Sequence, residues 1–180
     1  MFAFVVEFLA NCAADRGFAL KAEPVWLDEL SAAATRHYED AAQRKQITLT
    51  HRGKVTDPTS TDPSAVNQIL HNLISNAVKF SPAGATVRVS VESDSAGGAI
   101  WRVQDEGPGF TAEDRAAMFQ RYQRLSARST AEEPSTGLGL SIVKKLIGEL
   151  GGDIACESEP GQGATFALRF PPFAPVAADE

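Results

Sequence analysis

Three side chains on one predicted helix could together hold a metal ion and a phosphate group. Asn72, Asn76 and Lys79 fall at i, i+4 and i+7, so they share one narrow stripe of a helix expected to run from Pro63 to about Phe80. An amide oxygen is a hard, neutral ligand that suits Mg²⁺, and a lysine ammonium is a point charge for phosphate. A solvated polar stripe is the alternative, but such a stripe usually carries Glu and Lys, so the asparagine pair favours a ligand role.

A second segment, DEGPGF at 105–110, follows a predicted strand directly. Asp105, at the end of that strand, could accept a hydrogen bond from an exocyclic amino group. Gly107 and Gly109 would let the backbone approach a flat ring closely. Taken alone, the segment is a weak signal, and a plain turn is the alternative.

A third segment, STGLGL at 135–140, leads into a predicted helix whose exposed N–H groups could bind phosphate oxygens. It is not a P-loop, because GxxxxGK[ST] does not occur in the sequence. It is not a dinucleotide-binding fingerprint either, because a polar loop stands where a strand would be needed. A simple helix start remains the alternative. The fourth segment, GQGATF at 161–166, is a glycine turn into a strand, for which an ordinary hairpin turn is the alternative.

The composition describes one acidic globular domain. The chain has 180 residues, with 17 Lys and Arg against 23 Asp and Glu, a net charge of −6. Its hydrophobic fraction of 43% supports a core and excludes disorder for most of the chain. The acidic balance argues against nucleic acid as the main partner. Two cysteines, Cys12 and Cys156, form neither a disulfide framework nor a zinc site, which favours a cytoplasmic location.

The two ends of the chain are expected to lie outside the folded domain. Residues 1–16 are predicted to form a helix, whose apolar part is too short to span a bilayer and has no basic leader. We therefore expect no membrane contact by this chain. Residues 17–170 form the predicted domain, and residues 171–180 a flexible tail rich in Pro, Ala and acidic residues.

Hydrophobic periodicity predicts a mixed α/β chain whose strands are joined mainly by hairpins, so the sheet is expected to be largely antiparallel. A strand at 18–22 should end before Pro24, and a helix should span 27–43. Asp62 and Pro63 provide the N-cap and first turn of the asparagine-bearing helix. The other predicted elements are a strand at 47–52, a hairpin at 85–104, helices at 111–119 and 137–150, strands at 153–157 and 164–170, and loops at 56–60 and 125–136.

In this order and spacing, the segments closely resemble the catalytic ATP-binding domain of sensor histidine kinases. NLISNAVKFSP, MFQRYQR, DEGPGF, TGLGLSIVKKL and GQGATF are similar to its N, F, G1, G2 and G3 boxes, and the resemblance covers about residues 18–170. That domain belongs to the GHKL superfamily, shared with gyrase, the Hsp90 chaperones and MutL. The resemblance implies an α+β fold: a two-layer α/β sandwich of the Bergerat type, with a mixed, mostly antiparallel sheet covered on one face by helices.

The resemblance also implies a role for each matching residue. Asn76 would hold Mg²⁺, with Asn72 supporting the metal or the phosphates of ATP, and Lys79 would contact phosphate. Asp105 would accept a hydrogen bond from the adenine amino group. The other implied ligand contacts are Phe80 beside the adenine or ribose, Gly107 and Gly109 around the adenine, Thr165 through a hydrogen bond or a water, and Gly137, Leu138, Gly139 and Leu140 on the triphosphate.

The F box implies a lid over the nucleotide. Phe119 and Tyr122 would anchor it, and Arg124, with Arg121 as second choice, would reach the γ-phosphate during transfer. A solvated lid charge is the alternative for either arginine. We expect the lid, residues 110–136, to be disordered without nucleotide and ordered with it.

The phosphoacceptor motif of that family is absent from this sequence. His37, His51 and His71 all lack the acidic residue and the Thr-Pro context that mark the acceptor. We interpret residues 1–16 as a possible remnant of the dimerisation and phosphoacceptor hairpin. The expected partner is therefore a His-bearing dimerisation domain, in the same parent protein or in a separate chain, with a response regulator acting indirectly.

Asn72 distinguishes between the chemistries of the superfamily. Its ATP hydrolases carry a glutamate general base at this position, and an amide cannot accept a proton near neutral pH. An imidazole acceptor needs no strong base, because the neutral ring already carries a lone pair. The sequence therefore favours transfer of the γ-phosphoryl group to histidine. A GHKL-type ATPase and a non-catalytic ATP-binding or docking module remain the alternatives.

Overall fold

The computed structural model describes residues 20–120, residue 125 and residues 137–172. The predicted helix at 1–16 and all but two residues of the predicted tail lie outside this part of the chain. The strands are β1 (Glu23–Val25), β2 (Thr48–Lys54), β3 (Thr59–Thr61), β4 (Thr86–Ser93), β5 (Ala99–Asp105), β6 (Asp153–Ser158) and β7 (Ala164–Phe170). The helices are α1 (Leu27–His37), α2 (Glu39–Arg44), α3 (Pro63–Phe80), α4 (Ala112–Ala117) and α5 (Gly139–Glu149).

The main sheet has five strands in the order β2-β4-β5-β7-β6. β2 pairs with β4 in parallel, and the other three pairings are antiparallel. β1 and β3 form a separate antiparallel pair. The predicted α+β fold with a mixed, mostly antiparallel sheet is confirmed. No helix in the described ranges is long and apolar enough to cross a membrane.

The core lies between the sheet and the helices, because every second residue of the central strands is buried. Trp101, in β5, is fully buried, and its Nε1 donates a hydrogen bond to the Ser31 hydroxyl of α1 over 2.7 Å. The indole thereby fills the core with its only polar atom satisfied. The helices contribute a matching apolar layer: Ile69, Leu70, Leu73 and Ile74 from α3, and Ile142, Val143, Leu146 and Ile147 from α5.

α3 begins where the sequence predicts, because its first turn is capped by a side chain. Asp62 Oδ1 accepts hydrogen bonds from the backbone N–H groups of Ser64 and Ala65, each over 2.9 Å, and Pro63 occupies the first helical position. The apolar arc of the helix is buried, which leaves the stripe of Asn72, Asn76 and Lys79 on the other side. A capping box between Thr111 and Asp114 likewise begins α4.

The strand predicted at 18–22 is wrong over its described part. β1 comprises residues 23–25 and includes Pro24, which the prediction treated as a strand terminator. Pro24 pairs with Ser60 of β3. Among the described residues, β3 is the one strand with which β1 pairs, so β1 is not a central strand. A proline, which has no N–H to donate, is tolerated in such a position. The same pairing orders β3, where the sequence predicted a loop at 56–60.

The helix predicted at 27–43 is interrupted at Tyr38. This residue has φ −100° and ψ 0°, and it separates α1 from α2. Its hydroxyl donates to the His71 carbonyl of α3 over 3.2 Å. The helix therefore breaks where a tertiary contact to α3 forms, which local periodicity does not reveal.

Two partly buried histidines, His71 in α3 and His51 in β2, make stability depend on pH. Burial lowers the pKa of His71 from 6.5, and nearby His37, whose ring centroid lies 5.1 Å away, lowers it further. Burial also lowers the pKa of His51; Asp28 opposes this shift and Arg36 adds to it.

We expect the folded state to lose stability as the pH falls below 6.5. The unfolded chain takes up protons at that ordinary pKa, whereas folded His51 and His71 resist protonation until a lower pH. The stability is thus fully present above 6.5 and is lost as the pH falls through the lowered folded pKa values. Urea unfolding at a series of pH values measures this slope. A double variant, His51→Gln with His71→Gln, should flatten it, and an unchanged slope would contradict the assignment.

Candidate functional site

The polar stripe of α3 faces the first residue of α5. Asn76 Nδ2 donates to Asn72 Oδ1 over 3.3 Å, so the two predicted amides lie side by side. A Cβ added to Gly139 would lie 2.5 Å from Asn72 Oδ1 and 3.0 Å from its Nδ2. Glycine at 139 therefore leaves room for the Asn72 amide, so the structure brings together the asparagine-bearing helix α3 and the glycine segment that leads into α5.

The start of α5 is suited to an anionic group. Its N-cap residue is Leu138, which has no side-chain oxygen to bond the first-turn N–H groups. Unpaired N–H groups and the positive end of the helix dipole favour negative charge at such a position. The hydroxyl of Ser141 donates to the Leu138 carbonyl over 2.7 Å, which fixes the turn. Leu138 itself is buried, Leu140 is half-buried, and Gly137 enters the helix with φ 69°.

Asp105 lies at the end of β5 as predicted and is 9% exposed. Its Oδ1 accepts a hydrogen bond from the Gly107 N–H over 2.8 Å. Burial raises the pKa of Asp105, while the backbone N–H groups of Gly107 and Ala164 oppose the shift. A carboxylate has about four lone-pair sites, so it retains capacity to accept from a ligand amino group.

Two glycines allow the loops of the site to touch each other. Gly109 has φ +67°, and a Cβ there would overlap the Glu159 carbonyl oxygen. Gly163 has φ +75°, and a Cβ there would overlap the Asp105 carbonyl oxygen. The sequence indicated that glycine in the Asp105 loop lets the backbone approach a ring. The observed reason at Gly109 is different, since its missing side chain lets backbone pack against backbone.

Two side chains outside the predicted set hold these loops. The Ser158 hydroxyl accepts from the Phe110 N–H over 2.9 Å and donates to the Gly163 carbonyl over 2.6 Å. Glu106 Oε2 accepts from the Thr86 N–H over 2.9 Å, and this bond lowers the pKa of Glu106. Local spacing signals neither set of contacts, because the partners lie far away in the sequence or across a turn.

Phe80 and Phe119, two aromatic residues of the predicted site, are half-buried. Lys79 Nζ lies 5.8 Å from the centroid of the Phe80 ring, so the cation and the ring are neighbours at the end of α3. Phe119 packs against the core, and Lys144 Nζ lies 5.8 Å from its ring centroid. These contacts place Phe80 and Phe119 near cationic side chains of two different helices.

Thr165 does not lie on the Asp105 side of the sheet. The register pairs Asp105 with Ala164 and Gln104 with Thr165. Because successive side chains of a strand point to opposite faces, Thr165 lies on the face away from the Asp105 side chain. It lines instead a cavity of about 330 Å³ shared with Arg115. The role beside the adenine that was expected for Thr165 therefore finds no support in the sheet register.

The remaining predicted residues lie outside the part of the chain that the structure describes. These are Arg121, Tyr122 and Arg124, together with most of the predicted lid. Within the described part, no group of three or more His, Cys, Asp or Glu side chains could hold a metal ion. The Asn72 and Asn76 amides therefore remain the candidate ligands for a hard cation.

The sequence profile described as "Histidine kinase-, DNA gyrase B-, and HSP90-like ATPase" matches residues 61–174. The chain is 36% identical over 158 residues to the circadian input-output histidine kinase CikA of Synechococcus elongatus, a match covering 85% of this chain and 21% of that protein. It is 33% identical over 152 residues to the sensor histidine kinase TmoS of Ectopseudomonas mendocina, covering 84% and 16% respectively. Each relative is therefore several times longer than this chain.

Solved structures share the same fold. The structure of full-length ShkA in complex with AMPPNP superposes with a TM-score of 0.81 at 29% identity, covering 98% of this chain and 36% of that one. The mycobacterial sensor histidine kinase MprB gives a TM-score of 0.69 at 26% identity, covering 85% and 100%.

Proposed function

Since the chain belongs to the family of histidine kinase-, DNA gyrase B- and HSP90-like ATPases, as a catalytic ATP-binding domain of the sensor histidine kinase type, we propose that it binds Mg-ATP and transfers the γ-phosphoryl group to a histidine. That histidine belongs to a dimerisation domain, in the same parent protein or in another chain, and passes the phosphoryl group on to a response regulator. The observation that supports this most directly is the Asn72 amide packed against Gly139 at the uncapped start of α5.

In this proposal each side of the site binds one part of ATP. Asp105 accepts a hydrogen bond from the adenine amino group, and the N–H groups at the start of α5 bind phosphate oxygens. Lys79 contributes a positive charge to the phosphates, and Asn76, supported by Asn72, would hold Mg²⁺. Bound Mg²⁺ would neutralise part of the charge on the phosphate oxygens. Arg124, or Arg121 as second candidate, is proposed to reach the γ-phosphate.

The amide at 72 favours an imidazole acceptor over water. A water nucleophile needs a base to remove its proton, and an amide cannot serve as that base. A neutral imidazole nitrogen uses its own lone pair to form the N–P bond, while the bond from phosphorus to the bridging oxygen breaks and ADP leaves. Positioning and electrostatic stabilisation by this chain then supply the catalysis.

Phosphotransfer in trans tests the proposal. The chain is incubated with γ-labelled ATP, Mg²⁺ and a separately purified His-bearing dimerisation domain of a sensor histidine kinase. We expect acid-labile, base-stable label on the acceptor and none on an acceptor whose histidine is replaced by alanine. Steady release of phosphate without acceptor labelling would instead indicate an ATPase. ATP binding with neither reaction would indicate a non-catalytic binding module.

A further inference from the structure

We infer that Lys45 is a positioning residue for Lys79, an inference that rests on the proposed ATP site. Lys45 is the C-cap residue of α2 and lies outside the stripe of the site. Its ammonium group donates to the carbonyl oxygens of Val78 over 2.7 Å, Lys79 over 2.8 Å and Ser81 over 3.4 Å. One side chain thus binds three backbone carbonyls at the end of α3.

Those carbonyls are groups that a helix cannot satisfy by itself. The last four C=O groups of an α-helix have no partner within the helix, and its C-terminal end carries partial negative charge. An ammonium has three donors and a full positive charge, so it matches three converging carbonyls. Hydrogen bonds to a charged donor are stronger than neutral ones. Lys45 therefore stabilises the position of the last turn of α3, which carries the Lys79 side chain.

The residues that follow Lys45 connect α2 to the sheet. On the α2 side, the Ile47 N–H donates to the Ala42 carbonyl over 2.8 Å. On the sheet side, the Thr48 N–H donates to the Ala85 carbonyl over 2.9 Å. Thr48 is the first residue of β2, which pairs with β4 along its whole length. The ammonium therefore holds the end of α3 at a fixed place relative to the sheet, and the start of the Lys79 side chain is fixed with it.

Calorimetric titration of the 180-residue chain with Mg-ATP and with adenosine tests the inference. Lys45→Met should weaken ATP binding about tenfold, the effect of losing charge-assisted hydrogen bonds, and leave adenosine binding unchanged because Lys79 serves the phosphates. Lys45→Arg keeps the charge and should give an intermediate affinity. Lys54→Met, which removes a positive charge from an exposed position on β2, is the matched control and should bind like the unmodified chain.

A double-mutant cycle with Lys79→Met separates positioning from general loosening. In the Lys79→Met background, the further loss caused by Lys45→Met should nearly disappear. An equal loss in both backgrounds, an equal loss for adenosine, or no loss at all would overturn the inference. If Lys45→Met does not fold by circular dichroism, Lys45→Gln, which keeps an N–H donor without the charge, goes through the same cycle with the same criteria. If the unmodified chain binds no ATP, the proposed function fails first and the inference falls with it.

Discussion

Replacing Asp105 with alanine should weaken ATP binding by about a hundredfold or more, because a buried ligand amino group would lose its acceptor. The variant should still fold at neutral pH. Burial raises the pKa of Asp105, so its charge costs the folded state stability as the pH rises above 3.8, and removing the carboxylate removes that cost. Calorimetric titration with Mg-ATP measures the affinity, and thermal unfolding measures the stability.

Asp105→Asn is the matched control for this prediction. The asparagine amide oxygen can still accept from the Gly107 N–H and from a ligand amino group, although it has lost the charge. We therefore expect an affinity between those of the unmodified chain and Asp105→Ala. Asp105→Ala binding ATP within a few-fold of the unmodified chain, with its fold intact, would show that the adenine is bound elsewhere.

Gly139→Ala should lower the rate of phosphotransfer while leaving the domain folded. An added Cβ would lie 2.5 Å from Asn72 Oδ1, so the Asn72 amide must rotate away from its place beside Asn76. Displacing a positioned group by about 1 Å can cost roughly a hundredfold in rate, and we expect phosphotransfer to fall by about that factor. The fold should be retained, because alanine favours the helix more than glycine does.

Two variants control for the effect of alanine itself. Gly148, on the same helix, has no atom within 4 Å of an added Cβ, so Gly148→Ala should stabilise the chain by about 0.5–1 kcal/mol and leave transfer unchanged. In an Asn72→Ala background, adding Gly139→Ala should cause little further loss, since the displaced amide is already gone. Independent, multiplying losses would refute the contact between Asn72 and Gly139 as the cause.

The parts of the fold that were predicted correctly have local causes. α3 is specified by an N-cap, a proline and a regular apolar arc, all within its own residues, and its polar stripe followed from helical spacing alone. The hairpin of β4 and β5 followed from alternation around one turn. Asp105 at the end of β5 was therefore placed correctly as well.

The features that were missed depend on residues distant in the sequence. Lys45 contacts α3 across 33–36 residues, and Tyr38 contacts His71 across 33. Pro24 enters a strand only because Ser60 is available to pair with it. Thr165 illustrates a different limit, since a shift of one position along a strand moves a side chain to the opposite face. The GQGATF motif correctly predicted a turn before β7, but only the strand register shows on which face of the sheet Thr165 lies.

The parallel pairing of β2 and β4 makes α3 a crossover connection. A parallel pair cannot be joined by a tight turn, so the chain must leave the sheet after Lys54, run through α3 and return at Thr86. Along the chain, the helix that carries Asn72 and Asn76 therefore lies between two strands that are neighbours in the sheet. Both ends of this segment are fixed in the sheet, at opposite ends of two paired strands, because Thr86 pairs with Thr48 and Lys54 with Glu92. The amide pair should therefore persist until the domain unfolds as a single cooperative unit.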